Sequence, residues 1–192
     1  QHLLTTTLMV QEAIRGACDS STLSSSISKE LAHEAALDSV VKTVLAIHSK
    51  VESEGHVGID LSKSADLQEL EAQIVADLTN GSLATTLVSQ NVSVDVEVME
   101  YVIDHASAAI VSVNAELDKL HFEDFGGIKA GAVAYLKQDV AAEIFNMASA
   151  ARSYHDSNGA FDGFNPDVYL PLQTSAQMDA AIEANKALVI DH

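Results

Sequence analysis

The sequence predicts an all-α fold: a multi-helix bundle built from two related helical units and a C-terminal helix. Aliphatic residues recur at three- and four-residue intervals over long stretches, which is typical of the buried face of an α-helix. Apolar residues make up 47% of the chain and aromatic residues only 5%, so small aliphatic side chains must form the core. Both prolines, Pro166 and Pro171, lie in one short stretch, so everything before them lacks this helix breaker.

Three helices are predicted in the first half of the chain. The first covers 3–16 and ends at Gly16, because glycine is favourable just after a helix. The second covers 28–54, and three- and four-residue spacing gives it one buried stripe: Leu37, Val40, Val41, Val44, His48 and Val51. The third covers 64–80, with a serine as N-cap, an Asn-Gly pair at its end, and a buried stripe of Leu67, Leu70, Ile74 and Leu78.

The second half follows the same order. After a short Leu/Thr/Val segment, a long helix is predicted over 94–121 and a further helix over 128–154. The latter ends near Asn158-Gly159, in the place that Asn80-Gly81 takes in the first half. A loop with both prolines then leads to a last helix over about 174–190.

Short segments recur along the chain. Three pairs resemble each other: TTLMVQ (6–11) and TTLVSQ (85–90), AHEAALDSVV (32–41) and DHASAAIVSV (104–113), ALVIDH (187–192) and EYVIDH (100–105). We therefore expect 1–192 to form a single helical domain with repeat units over about 1–81 and 82–159. The remainder, 160–192, is expected to be a loop and a C-terminal helix that resembles the start of a third unit.

Three segments carry a resemblance to a known group of proteins. The LTT opening, VADLTNGSL (75–83) and DSNGAFDG (156–163) resemble the "LTT … ADLxDGxLDG" pattern found in helical domains of bacterial cell-surface and extracellular proteins. The resemblance implies an extracellular or cell-surface location. It brings no catalytic residues with it.

Charge and hydropathy exclude several partners. With 28 acidic residues against 10 Lys and Arg, the net charge of −18 repels a phosphate backbone, so nucleic acid is not an expected partner. No apolar run approaches the ~18 residues that a transmembrane helix needs. The chain begins with Gln1, so we expect that a signal peptide, a pro-segment or a larger protein preceded it.

Four of the eight histidines lie on predicted long helices at matched places in the two units: His33, His48, His105 and His121. Within one helix, His33 and His48 are about 22 Å apart along the axis and cannot share one metal ion. Across units, His33 with His105 or His48 with His121 would suit axial ligation of haem or binding of a chlorophyll-like pigment. The simpler interpretation, which we favour, places them at the edges of apolar stripes.

A di-metal carboxylate site is a minor alternative. It requires Glu-x-x-His motifs, of which one occupies 30–33 and a variant with Asp occupies 118–121, while Glu97 and Glu100 would add carboxylates. Such coincidences are expected in a chain with 28 acidic residues.

Two loops have the oxygen-rich composition of calcium sites. In the favoured loop the candidate ligands are Asp156, Asn158, Asp162 and Asp167. The other loop, 60–71, has EF-hand-like spacing, but Ala65 replaces the central glycine and its serine at position 64 is better explained as a helix cap. Ordinary turn chemistry also accounts for Asp, Asn and Gly in such loops.

No nucleophile elbow, phosphate loop or dinucleotide fingerprint is present in the sequence, so no catalytic residue is assigned. The leading hypothesis is a non-enzymatic extracellular assembly subunit of a filament, sheath or surface layer, which self-associates with identical subunits. One alternative is a tetrapyrrole- or metal-binding helical bundle that uses the duplicated histidines. Another is an extracellular helical domain that senses a ligand.

Overall fold

The computed structural model describes residues 2–18, 29–54, 64–89, 92, 95–117, 139–169, 176, 180 and 184. This part of the chain contains no strand and six α-helices, so the predicted all-α multi-helix fold is confirmed. The helices are α1 (His2–Cys18), α2 (Lys29–Glu54), α3 (Ser64–Asn80), α4 (Ser82–Ser89), α5 (Val96–Leu117) and α6 (Ala141–Asn158). A 3-10 turn follows at Pro166–Val168. The division into two related units remains a prediction.

Helix α1 is the central helix of the bundle. It packs against α2, α5 and α6, and α3 packs in turn against α2, α4 and α5. From Thr6 to Cys18, every side chain of α1 is buried except those of Leu8 and Arg15, which are half-buried. A helix that is covered on all sides needs apolar or internally bonded residues around its whole circumference.

Gly16 does not end α1, and the prediction that it is a C-cap was wrong. The helix continues to Cys18, and Gly16 lies against α6. A Cβ atom at this position would come 2.6 Å from Cβ of Ala148 and 2.7 Å from the backbone oxygen of Phe145. Glycine is required because the two helix backbones approach each other closely, which leaves no room for a side chain.

Helix α2 spans the predicted residues, but the face that it buries differs from the predicted face. Its buried residues are mostly small: Leu31, Ala32, Ala35, Ala36, Ser39, Val40 and Thr43. Three members of an apolar row remain outside: Leu37 is 43% exposed, Val41 41% and Leu45 58%. Of the predicted stripe, therefore, only Val40 is fully buried and Val44 partly so, while the side chains of His48 and Val51 lie outside the described ones. Small residues occupy the buried face because they allow α2 to approach α1 and α3 closely.

The other predicted helices agree with the structure where it describes them. Helix α3 has the predicted bounds, and Leu70 and Ile74 of its stripe are buried. Helix α6 ends at Asn158 as predicted, because Gly159 has a φ of 71° and closes it in the left-handed conformation. Val140, Ile144, Met147 and Ala151 are buried as one stripe. The predicted start of this helix, 128–138, lies outside the described residues.

Helix α5 starts later than predicted because Asp95 caps it. The Oδ1 atom of Asp95 accepts hydrogen bonds from the backbone N–H groups of Glu97 (3.1 Å) and Val98 (3.3 Å). The short segment after Asn80-Gly81, for which no structure was predicted, forms α4. Of the predicted C-terminal helix, only three alanines are described, and all are helical and exposed: Ala176, Ala180 and Ala184.

A buried carboxylate joins α2 to α3. Asp77 of α3 is buried, and its oxygens accept hydrogen bonds from Ser39 Oγ (3.3 Å), Lys42 Nζ (3.2 Å) and Gln73 Nε2 (3.1 Å). A charge in this position is tolerated because three donors, one of them an ammonium group, replace its water.

No helix of the described chain is long and apolar enough to cross a lipid bilayer.

Candidate functional site

His33 is exposed on α2 and is held by α1. Its Nδ1 lies 2.8 Å from Oε1 of Gln11, whose amide nitrogen donates to Glu12 at 2.9 Å. Glu12 is buried and also pairs with Arg15. Because the amide oxygen of Gln11 accepts, Nδ1 of His33 donates, and a neutral ring then keeps its lone pair on Nε2.

His105 is half-buried on α5 and is held by its own helix. Its Nδ1 lies 2.8 Å from the backbone oxygen of Tyr101, and its ring stacks on the Tyr101 ring with 4.2 Å between centroids. No described contact joins His105 to His33. The side chain of His48 and all of His121 lie outside the described part of the chain, so the histidine pairing remains a prediction.

In the favoured calcium loop, two of the four candidate ligands are held in local side-chain interactions. Both carboxylate oxygens of Asp156 lie 3.0 Å from Nε of Arg152, while the amide of Asn158 donates to the backbone of its own helix. Asp162 and Asp167 follow in the exposed loop. Among the described residues, no three or more His, Cys, Asp or Glu side chains are grouped so that they would hold a metal ion. Calcium binding remains a prediction, and most side chains of the alternative 60–71 loop are not described.

The structure gathers aromatic rings where α5, α6 and the loop 159–169 meet. We call this group the aromatic cluster; it comprises Tyr101, His105, Tyr154, His155, Phe161, Phe164 and Tyr169. All seven side chains are half-buried. In a chain with only 5% aromatic residues, this concentration is a distinct feature of the molecule.

Four of the rings form a continuous stack. His105 stacks on Tyr101 at 4.2 Å, Tyr101 on Phe161 at 3.9 Å with an interplanar angle of 10°, and Phe161 on His155 at 4.9 Å. The stack therefore runs from a histidine of α5 to a histidine of α6 through one ring of the loop. Such pairs contribute about 0.5–1.5 kcal/mol each beyond the area they bury.

Phe164 holds the second part of the cluster. Its ring meets Tyr101 edge-on at 5.9 Å, Tyr154 at 5.5 Å and Tyr169 in a stacked arrangement at 5.8 Å. Phe164 thus ties the far end of the loop to both helices.

Two glycines and two hydrogen bonds hold the loop 159–169 against the helices. Gly159 closes α6 and Gly163 has a φ of 88°, a left-handed conformation that side chains disfavour. The Tyr154 hydroxyl donates to the backbone oxygen of Asp162 at 2.5 Å. Asn165 caps the 3-10 turn by accepting from the N–H of residue 167 at 3.1 Å. These interactions place Phe161 and Phe164 against α5.

His155 lies between two carboxylates of the α5 N-terminus. Its Nδ1 is 3.5 Å from Oδ2 of Asp95 and its Nε2 is 3.6 Å from Oε2 of Glu97, and its side chain is only 13% exposed. Sequence reasoning missed His155 as a site residue, because its partners lie about sixty positions earlier in the chain and only the fold brings them near. The accumulation of aromatic residues after position 153 is the signal that would have found it.

Several carboxylates lie close to rings of the aromatic cluster. Burial raises the pKa of the Tyr101 hydroxyl, and the nearby carboxylates of Asp104 and Asp167 raise this pKa further. Arg152 is the only Lys or Arg in 95–117 and 139–169, and it is paired with Asp156.

A second surface lies on α2. Leu37, Val41 and Leu45 are spaced by four residues and so lie along one face of the helix; we call them the α2 aliphatic row. Val44, beside the row, packs partly against the core. The row is therefore continuous with the interior but is itself open to solvent.

No protein-family model, curated protein or solved structure matches this chain. Function is therefore inferred from the chain's own surfaces. The α2 aliphatic row offers apolar area, and the aromatic cluster offers ring area surrounded by negative charge. Both properties are typical of surfaces that bind other molecules.

Proposed function

We propose that this protein is a non-enzymatic structural subunit that self-associates through the α2 aliphatic row. One observation carries the proposal: α2 turns its small residues inward and leaves the larger Leu37, Val41 and Leu45 41–58% exposed. A helix that served only the fold of a single chain would gain more by burying these larger side chains. An aliphatic row that remains outside is better explained as a contact surface.

Burial of the exposed part of the row would favour association of identical subunits, although each side chain is already about half covered. Full burial of one Leu or Val side chain stabilises a contact by about 1.5–3 kcal/mol. Three such side chains on each of two partners would offset part of the entropy lost on association, which is about 4–15 kcal/mol. We therefore expect association that depends strongly on concentration.

The proposed location is outside the cell. This part of the proposal rests on the resemblance of 75–83 and 156–163 to helical domains of bacterial surface proteins. A component of a filament, sheath or surface layer would combine that location with repeated contacts between identical subunits.

A pair of matched variants tests the role of the row. Val41→Gln with Leu45→Gln removes apolar area from the row, while Val88→Gln makes the same kind of change on α4, where Val88 is 71% exposed. Light scattering on concentrated protein should show association for the wild type and for Val88→Gln, and a monomer for the double variant. Equal association of all three proteins would exclude the row as the contact.

A tetrapyrrole-binding bundle is a second candidate, and one observation favours it. The Nδ1 atoms of His33 and His105 each lie 2.8 Å from an amide oxygen, so each neutral ring offers Nε2 as a ligand. Histidines that bind metals are commonly held in this way. A Soret-type band in protein from its native source, lost in His33→Ala or His105→Ala, would support this candidate; a colourless sample would exclude it.

A further inference from the structure

The aromatic cluster has ring faces and carboxylates that the fold itself does not use. Within the described residues, His105 and Tyr169 each have a ring stacked on one face only. Both residues are half-buried, so part of each is accessible to solvent. Open ring faces attract cations through the negative charge of the π system.

Exposed carboxylates lie beside these rings. An oxygen of Asp104 is 3.8 Å from Nδ1 of His105, and the Asp104 side chain is 74% exposed. Asp167 is exposed two residues before Tyr169, and the carboxylates of Asp104 and Asp167 both act electrostatically on Tyr101. The rings therefore lie close to negative charge that faces solvent.

The described chain offers this surface no cation of its own. Arg152 is the only Lys or Arg in 95–117 and 139–169; it bonds to Asp156 and also lies 3.5 Å from the backbone oxygen of Ala17. A cationic partner molecule would complement this negative charge. The acidic surface repels phosphate, which excludes nucleic acid and anionic lipid as that molecule.

The fold already shows which cation suits a ring beside a carboxylate. The guanidinium carbon of Arg15 lies 4.1 Å from the ring centroid of Phe145, while the same group pairs with Glu12. A planar guanidinium can stack on a ring and bind a carboxylate at the same time, and an ammonium group does this less well.

We infer that the aromatic cluster, with Asp104 and Asp167, is a docking surface for an arginine-containing basic segment of a partner protein. Arginine side chains of that segment stack on the open faces of His105 and Tyr169 and pair with the two carboxylates. This surface is separate from the α2 aliphatic row, and the inference does not depend on self-association.

Titration calorimetry on the full chain tests the inference. The probe is an acetylated, amidated peptide of alternating glycine and arginine, compared with peptides that carry lysine or glutamate in place of arginine. We expect saturable binding in the order arginine, then lysine, with none for glutamate. Asp104→Asn with Asp167→Asn should weaken arginine-peptide binding by about fivefold or more.

A matched control separates local docking from net charge. Glu30→Gln with Glu34→Gln removes the same charge from two exposed positions on α2, and it should leave the affinity within about twofold. A third variant, Tyr169→Leu, should weaken binding by about threefold without a change in charge. Circular dichroism verifies that each variant is folded.

Two results would overturn the inference: no saturable binding of the arginine peptide, or equal weakening by the two charge-removing pairs. In the first case, saturable binding of calcium alone would assign the surface to a divalent cation. None of these outcomes bears on the α2 aliphatic row, whose test is the mass of the protein without peptide.

Discussion

At the scale of single residues, Gly16 sets how closely α1 approaches α6. A methyl group at this position would overlap Ala148 Cβ and the backbone oxygen of Phe145. Because one of these neighbours is main chain, the clash cannot be relieved by a rotamer change and the helices must separate.

Gly16→Ala should therefore destabilise the fold, although alanine favours a helix more than glycine does. Overpacking costs about 1–3 kcal/mol and offsets or exceeds the gain of about 1 kcal/mol in helix propensity, so we expect a net loss of up to about 2 kcal/mol. Urea denaturation measures this change in the free energy of unfolding. Ser153→Ala, at an exposed position on α6, serves as the control and should change it little. An increase in stability for Gly16→Ala would contradict the close approach.

Asp77 and Asp38 share one lysine but differ in burial. Lys42 Nζ lies 2.7 Å from the half-exposed carboxylate of Asp38 and 3.2 Å from the buried carboxylate of Asp77. Asp77→Ala leaves the buried Ser39 hydroxyl without this acceptor and should cost about 1–3 kcal/mol. Asp38→Ala removes an exposed pair and should cost about 0.5 kcal/mol. Urea unfolding measures both variants. Similar decreases in the free energy of unfolding would show that the burial of Asp77 does not contribute to stability.

The sequence predicts which helices carry the histidines but not which groups they contact. It placed His33 and His105 on helices, but not their partners, because Gln11 comes from another helix and the partner of His105 is a backbone oxygen. It did not single out His155, since the rings that stack on one another are separated by dozens of positions. Proximity of this kind follows from helix packing, which periodicity does not specify.

At the scale of elements, helix bounds were predicted well and helix faces less well. Asn-Gly pairs end α3 and α6 as predicted, because the signals for a helix end are local. The face of α2 was predicted wrongly, because burial depends on which neighbour packs against it. Large aliphatic residues on α2 suggested the interior, but close packing against α1 selected alanine and serine instead.

The contact between α3 and α5 makes stability depend on pH. Burial of Glu71 raises the pKa of its carboxyl above 4.5; a hydrogen bond with Ser107 opposes this shift and Asp104 adds to it. The folded chain thus holds this proton to higher pH than the unfolded chain, so stability falls as pH rises through the range just above 4.5.

Glu71→Gln should remove this decrease of stability with rising pH. The variant should match the wild type near pH 4, where Glu71 is protonated, and exceed it in thermal stability at pH 7. Melting temperatures at several pH values measure the difference, with Glu100→Gln, at an exposed position on α5, as the control. A variant less stable than the wild type at pH 7 would contradict the role of burial.

At the scale of the whole molecule, two properties oppose each other. The α2 aliphatic row favours contact between copies, while a net charge of −18 keeps copies apart. Salt screens the charge over about 8 Å at physiological ionic strength and leaves apolar contact intact. Association should therefore strengthen as salt is added, unlike the binding of an arginine peptide, which should weaken.

Sedimentation equilibrium of the wild-type chain tests self-association most directly. We predict an average mass above the 20.3 kDa of one chain, increasing with protein concentration and increasing further with sodium chloride. A mass that stays at 20.3 kDa over all concentrations and salt conditions would contradict the proposed function.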